Sequence, residues 1–154
     1  SILPSINEKI EIGKSRIIND GKKIAILNFG ARLNETLKAS ESLKKKGINM
    51  TIVDARFAKP LDENLIWQLA TTHEAILTIE EGSIGGFGSH VINFLTKKGL
   101  MDSNLKFRSM TLPDIFIDQD TPDKMYKAAN LDSYSIEEKV LDVLNSNIVL
   151  QKQK

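Results

Sequence analysis

Two stretches of this chain are almost continuously apolar: Ile24-Ala25-Ile26-Leu27-Asn28-Phe29 and Ala75-Ile76-Leu77-Thr78-Ile79. Runs of that length, without alternation, are the pattern of strands buried on both faces of a sheet. A third run, Asn49 to Asp54, has the same character, and Leu105 to Leu112 reads as the last strand. Residues 8 to 19 alternate in part and reach Asp20-Gly21, a hairpin signal. The expectation is a polar edge strand that turns at Asp20-Gly21 into a strand over Lys23 to Phe29.

Between these strands the apolar period lengthens to that of a helix. A helix is predicted from Asn34 to Lys46, with Leu33, Leu37, Ser40 and Leu43 on one face. Lys44, Lys45 and Lys46 end it, where the helix dipole favours cations, and Gly47 stops it. Asp62 is placed as the N-cap of a helix through Thr71, with Leu65, Ile66, Leu69 and Ala70 inward. A segment from Val91 to Lys98 buries Val91, Ile92 and Leu95 and stops at Gly99. Pro113 and Asp114 open an irregular stretch to Asp120. Thr121 then caps a short helix with Pro122 at its first position, running to Asn130. Ser135 with Glu138 fits a capping box for a last helix to Asn145.

Strands alternating with helices predict an α/β fold: a three-layer α/β/α sandwich on a mainly parallel five-stranded sheet with one antiparallel edge strand. The domain is expected over 8–147, with 1–7 as a linker remnant and 148–154 as a tail. The linker-like start at Ser1 reads as that of a fragment.

Composition narrows the chemistry more than it names it. The chain has 154 residues, 21 basic and 20 acidic, so its formal net charge is +1. That balance makes no case for nucleic acid or for an anionic membrane surface. There is no cysteine, which excludes thiolate chemistry, disulfides and cysteine metal sites. Two histidines, His73 and His90, are too few for a histidine metal site without carboxylates. No apolar run approaches a membrane span and no signal peptide is visible, so a cytoplasmic location is expected.

The conspicuous stretch is Glu80-Glu81-Gly82-Ser83-Ile84-Gly85-Gly86-Phe87-Gly88-Ser89-His90. It follows a buried strand, and the carboxyl ends of parallel strands face the ligand or partner crevice. Glu80 and Glu81 are neighbours on a strand and point to opposite faces, so they are no facing acid/base pair. Each remains open as an acid, a helix-cap acceptor or a salt-bridge partner. The glycines lack the Gly-Lys-Ser/Thr ending of a phosphate loop, and two carboxylates beside them repel phosphate. Close backbone packing against another surface is the favoured reading, with the helix N-terminus as an accessory anion acceptor. Arg56 is placed to clamp Glu80, Glu81 or Asp114 and shape the loops. His73 belongs to the opposite sheet edge, and His90 is an acid/base candidate beside the glycines. Ser83 and Ser89 have no base at fixed spacing.

Four blocks then carry a resemblance: Lys23 to Gly30; Val53-Asp54-Ala55-Arg56-Phe57-Ala58-Lys59-Pro60-Leu61-Asp62; Glu80-Glu81-Gly82 through Gly85-Gly86-Phe87-Gly88-Ser89; and Leu112-Pro113-Asp114-Ile115-Phe116-Ile117. In order and spacing they resemble the C-terminal domain of the 1-deoxy-D-xylulose-5-phosphate synthase family, within the wider transketolase C-terminal superfamily. Gly82 stands where many relatives have Asn. The resemblance implies a transferase that condenses pyruvate with glyceraldehyde 3-phosphate and releases carbon dioxide, using thiamine diphosphate and Mg2+. The product feeds isoprenoid, thiamine and pyridoxal phosphate synthesis. It also implies a homodimer, with the cofactor held by N-terminal and middle domains outside this chain. No catalytic, cofactor or metal residue is carried over. Arg56, Glu80, Glu81, Gly82, Gly85, Gly86, Phe87, Gly88, Ser89 and His90 stand as interface or accessory candidates. Ile84 and Phe87 are expected to surface an interface. The alternatives are a free-standing module that binds an anionic ligand or partner at Gly82 to Ser89, and a small enzyme using Glu81 or His90.

Overall fold

The two apolar runs lie side by side at the middle of the sheet. In the structure, a computed structural model that describes residues 9–151, the strands are β1 (Arg16–Asn19), β2 (Ile24–Phe29), β3 (Thr51–Asp54), β4 (Ala75–Glu80) and β5 (Lys106–Met110). Their order is β1-β3-β2-β4-β5. β2 runs parallel to β4 in register from Ile24 against Ala75 to Phe29 against Glu80, and parallel to β3 on its other side. β5 is parallel to β4, and β1 is antiparallel to β3.

Strand period two divides the core into two layers. Ile24, Ile26, Ile52, Leu77 and Ile79 face one way and meet Leu33, Ala39 and Leu43 of α1 (Leu33–Lys45) and Ile136, Val140 and Val143 of the last helix. Ala25, Leu27, Val53 and Ile76 face the other way. They meet Ile66, Leu69 and Ala70 of α2 (Glu63–Thr72) and Val91, Phe94 and Leu95 of α3 (Phe87–Lys97). Each of the Val, Leu, Ile and Phe side chains among them contributes about 1.5–3 kcal/mol on burial. The expected three-layer α/β/α arrangement with one antiparallel edge strand is therefore present. α4 (Pro122–Ala128) and α5 (Ser133–Gln151) complete the chain after β5.

Several local expectations change. Asp20-Gly21 is not a hairpin turn: β1 pairs with β3, because both edges of β2 are taken by β3 and β4. Gly21 instead presses on the backbone of Met50, where a Cβ would overlap, and its amide donates to Thr51 Oγ1 at 3.0 Å. β1 is shorter than expected, Arg16–Asn19. Asp62 caps α2 as expected, accepting from the Leu65 amide at 3.2 Å. Leu65 and Ile92 are only partly covered. Thr121 makes no side-chain cap bond; Asp120 Oδ1 accepts from the Thr121 amide instead at 2.7 Å.

The Ser135/Glu138 capping box does not form. α5 starts at Ser133, and Asp132 Oδ1 accepts from the Ser135 amide at 3.1 Å, the bond an N-cap makes to the third helical residue. α5 also continues past Asn145 to Gln151, through part of the expected tail. The expected linker at 1–7 and residues 152–154 lie outside the described residues.

Candidate functional site at the carboxyl edge of the sheet

β4 ends on Glu80, and its carboxylate does not face solvent. Glu80 is buried, and its Oε1 accepts from the Phe87 amide at 3.0 Å while Oε2 accepts from the Gly88 amide at 2.6 Å. These are first-turn amides of α3, which have no partner inside the helix. A negative charge there is further favoured by the helix dipole. Glu80 is thus the cap of a helix that begins seven residues downstream.

The glycines follow from that carboxylate. A Cβ on Gly86 would overlap Glu80 Oε1, and one on Gly82 would sit 2.7 Å from the same oxygen. On Gly88 it would lie 2.6 Å from Thr78 Oγ1 and 3.5 Å from Glu80 Oε2. Gly85 turns the loop with φ +106°, a region that favours glycine, and its amide donates to Ser89 Oγ at 2.9 Å. The loop wraps an anion that the chain itself supplies. The anion-acceptor reading of this helix N-terminus is therefore superseded at Phe87 and Gly88.

Glu81 points elsewhere, as neighbours on a strand must. It forms an ion pair with Arg32 Nε at 2.9 Å, without an aligned hydrogen bond. The Arg32 guanidinium lies 3.4 Å from the Tyr126 ring centroid, a cation–π stack. Glu81, acting as hydrogen-bond acceptor, pushes the Tyr126 phenol up from its ordinary value. Glu81 thereby ties the β4 end to the start of α1 and to α4. Sequence reasoning missed Arg32 and Tyr126, which are 94 residues apart in number and carry no local signal.

At the other end of this edge, Arg16 and Arg56 both approach Asp54 Oδ2 at 3.6 Å. Arg56 holds a left-handed backbone, φ 59°. The carboxylate it pairs with is Asp54; Glu80 and Glu81 are engaged by α3 and by Arg32. Asn28, on β2 between the two ends, is fully buried. It donates to the Val53 carbonyl at 3.1 Å and accepts from Thr36 Oγ1 at 2.6 Å.

The geometry therefore joins a capped glycine loop, interlocked ion pairs and a buried amide at one edge, on an α/β sheet of this order. The family comparison supplies what decides the matter: residues 13–136 match the transketolase C-terminal domain. The chain belongs to the transketolase C-terminal domain family. A solved structure described as "Split gene transketolase, inactive beta4 tetramer" is similar over 90% of this chain at 26% identity, with a TM-score of 0.80. This chain corresponds to 44% of that one, so it spans less than half the length of the relative.

The other candidates of this transketolase C-terminal domain fall as follows. Phe87 is buried and stacks on Phe29, with ring centroids 5.1 Å apart and planes 14° apart, so it is core and not surface. Ile84 is 83% exposed. Ser83 lies in the loop, while Ser89 and the half-buried His90 sit in the first turn of α3. His73 lies at the opposite edge, where its Nε2 is 2.8 Å from Thr51 Oγ1 and its Nδ1 is 2.9 Å from Thr72 Oγ1. Burial lowers its pKa.

Among the described residues, no group of three or more His, Asp or Glu converges as a metal site. No described helix is long and apolar enough to cross a membrane. At the glycine loop, the Phe87 and Gly88 amides that could meet a diphosphate are already held by Glu80.

Proposed function

We propose that this chain is the C-terminal domain of a thiamine-diphosphate-dependent transferase of the 1-deoxy-D-xylulose-5-phosphate synthase type, and that it serves domain packing and assembly. On this reading the complete enzyme condenses pyruvate with glyceraldehyde 3-phosphate with loss of carbon dioxide, in the cytoplasm. Thiamine diphosphate and Mg2+ are bound by N-terminal and middle domains, outside this chain, and the complete enzyme is a homodimer.

The observation that carries the proposal is the occupied glycine loop. A free-standing anion-binding module needs the first-turn amides of α3 for its ligand, and Glu80 already holds two of them. What remains at this edge is a surface. Of the eight large apolar side chains exposed among the described residues, five lie in its loops: Ile10, Ile12, Ile84, Ile115 and Phe116. The similar split-gene transketolase is a tetramer, and its description as inactive is in keeping with a chain that needs a complement.

Calorimetric titration of the chain with thiamine diphosphate and Mg2+, with a turnover assay on pyruvate and glyceraldehyde 3-phosphate, tests the reading. The expected result is no binding and no turnover by this chain alone, and turnover when it is mixed with the N-terminal and middle domains of such a synthase. Tight binding by the chain alone, or a mixture that stays inactive with a folded complement, overturns it.

A further inference from the structure

After β5 the chain runs to α5 through a stretch that is firmly held only at its ends. No residue from 113 to 128 is buried, and α4, which lies within it, has no buried side chain. Several of its polar contacts close within the stretch itself. Asp120 Oδ1 accepts from the Thr121 amide at 2.7 Å and pairs with Lys124 at 3.2 Å, and the Met125 amide donates to the Thr121 carbonyl at 3.0 Å. The two ends are anchored. The Leu112 amide donates to the Gly82 carbonyl at 2.9 Å, and Ala129 and Leu131 are buried in the core layer of α1 and α5. Between those last two, Asn130 turns the chain with a left-handed φ of 57°.

Two side chains of the stretch pack against the same core layer, Ile117 and Tyr126. Tyr126 makes the more specific contact. Its ring lies 3.4 Å from the Arg32 guanidinium, and its phenol donates to Glu81. Glu81 also holds Arg32, at 2.9 Å from Nε. The seat for the ring is therefore built by α1 and β4, which belong to the folded body. Beside this contact a groove of about 430 Å³ runs between Asn34 and Lys38 of α1 and Pro122 and Asp123 of α4. α4 touches down at Tyr126 and stands off from α1 next to it. A helix this short does not hold itself together in water, where about 12 residues are needed to recover the cost of nucleation. Its order comes from the tertiary contact.

From this we propose that residues 113–128 form a strap that opens as a unit while the sheet stays folded, and that Tyr126 is its latch. Segments with few buried apolar contacts lie at the low end of local stability. The strap carries Ile115 and Phe116, which are 64% and 91% exposed. The closed latch fixes where these two side chains stand on the carboxyl edge, and opening removes them from it. Whatever engages them in the closed position also holds the latch shut, and the latch in turn favours that engagement by the same factor. The device belongs to this chain and is independent of the reaction the complete enzyme catalyses.

Native-state hydrogen exchange of the chain, read amide by amide, tests this. The amides of α4 are expected to exchange through an opening far more frequent than the one that exposes β2 and β4. Tyr126→Leu keeps an apolar side chain over the core but loses the stack and the phenol bond. It is expected to speed exchange in α4 about tenfold or more. Ile117→Ser lies outside α4 and is expected to speed exchange in α4 as well, because a strap that moves as a unit shares its two contacts. Ile76→Val, in the opposite core layer, is expected to speed exchange in β2 and β4 about two- to tenfold and to leave α4 unmoved. Protection of β2 and β4 verifies in the same measurement that each variant is folded. Exchange in α4 that follows Ile76→Val overturns the inference, since the strap then opens only with the whole fold. Exchange in α4 unmoved by Tyr126→Leu removes the latch, and exchange unmoved by Ile117→Ser means that α4 frays by itself. None of these outcomes bears on the turnover test above.

Discussion

Glu80 Oε2 lies 2.6 Å from the Gly88 amide, so the last residue of β4 caps the helix that the glycine loop leads into. A charge-assisted hydrogen bond of that kind contributes about 1.5–3 kcal/mol, and the same carboxylate makes a second to Phe87. Glu80→Gln keeps the shape but turns an acceptor into a partial donor facing two amides. The expected loss is about 2–3 kcal/mol, read as a lower urea midpoint with an unchanged slope. A loss below about 0.5 kcal/mol, the range of ordinary surface changes, contradicts the capping role.

Gly86 and Glu80 are bound to each other's identity. A Cβ on Gly86 overlaps Glu80 Oε1, and moving that oxygen aside gives up its hydrogen bond from the Phe87 amide. Gly86→Ala is expected to cost more than the ~1 kcal/mol typical of a point change. In the Glu80→Ala background most of that steric cost disappears. A double-mutant cycle should therefore show a coupling of about 1 kcal/mol or more. Additive losses contradict the contact.

How far the sequence discloses this molecule depends on how local each cause is. β4 and the capped α2 are legible because their signals, an apolar run and Asp62 three residues before Leu65, lie within the element. α3 begins four residues before the expected Val91, since its cap is supplied from β4 and no cap residue precedes the helix. Phe87 reads as a loop aromatic in sequence and becomes core once the early helix start turns it onto Phe29. Asp20-Gly21 carries a true turn signal that tertiary pairing overrides, because β2 has no free edge for β1. The Arg32–Glu81–Tyr126 cluster joins three separate segments and leaves no spacing to read.

Thr36 and Asn28 form a buried pair whose loss is one-sided. Thr36→Val removes the hydroxyl that donates to Asn28 Oδ1 at 2.6 Å and leaves that oxygen buried without it. The expected cost is about 1–3 kcal/mol, the penalty for an unsatisfied buried acceptor. Equilibrium urea unfolding measures it, and a neutral outcome contradicts the pairing.

His73 makes the stability of the opposite edge depend on pH, and the hydrogen bonds fix the sign. Thr72 Oγ1 donates its one proton to the Gln68 carbonyl at 2.7 Å, so toward His73 it accepts, which places the ring proton on Nδ1. Nε2 then accepts from the Thr51 hydroxyl, whose oxygen in turn accepts from the Gly21 amide at 3.0 Å. Protonating Nε2 strands the proton of a buried hydroxyl, and burial itself lowers the pKa of His73. A histidine depressed in the folded state binds its proton preferentially in the unfolded chain. Its contribution is present above the unfolded value of about 6.5 and is lost as pH falls from there toward the folded value. Unfolding free energies from pH 7.5 down into the acid side of that window should decline more steeply for the native chain than for His73→Gln. Nitrogen chemical shifts of the ring should report the Nδ1–H tautomer at neutral pH. A native chain with the same pH slope as His73→Gln, or a ring protonated on Nε2 at neutral pH, contradicts the assignment.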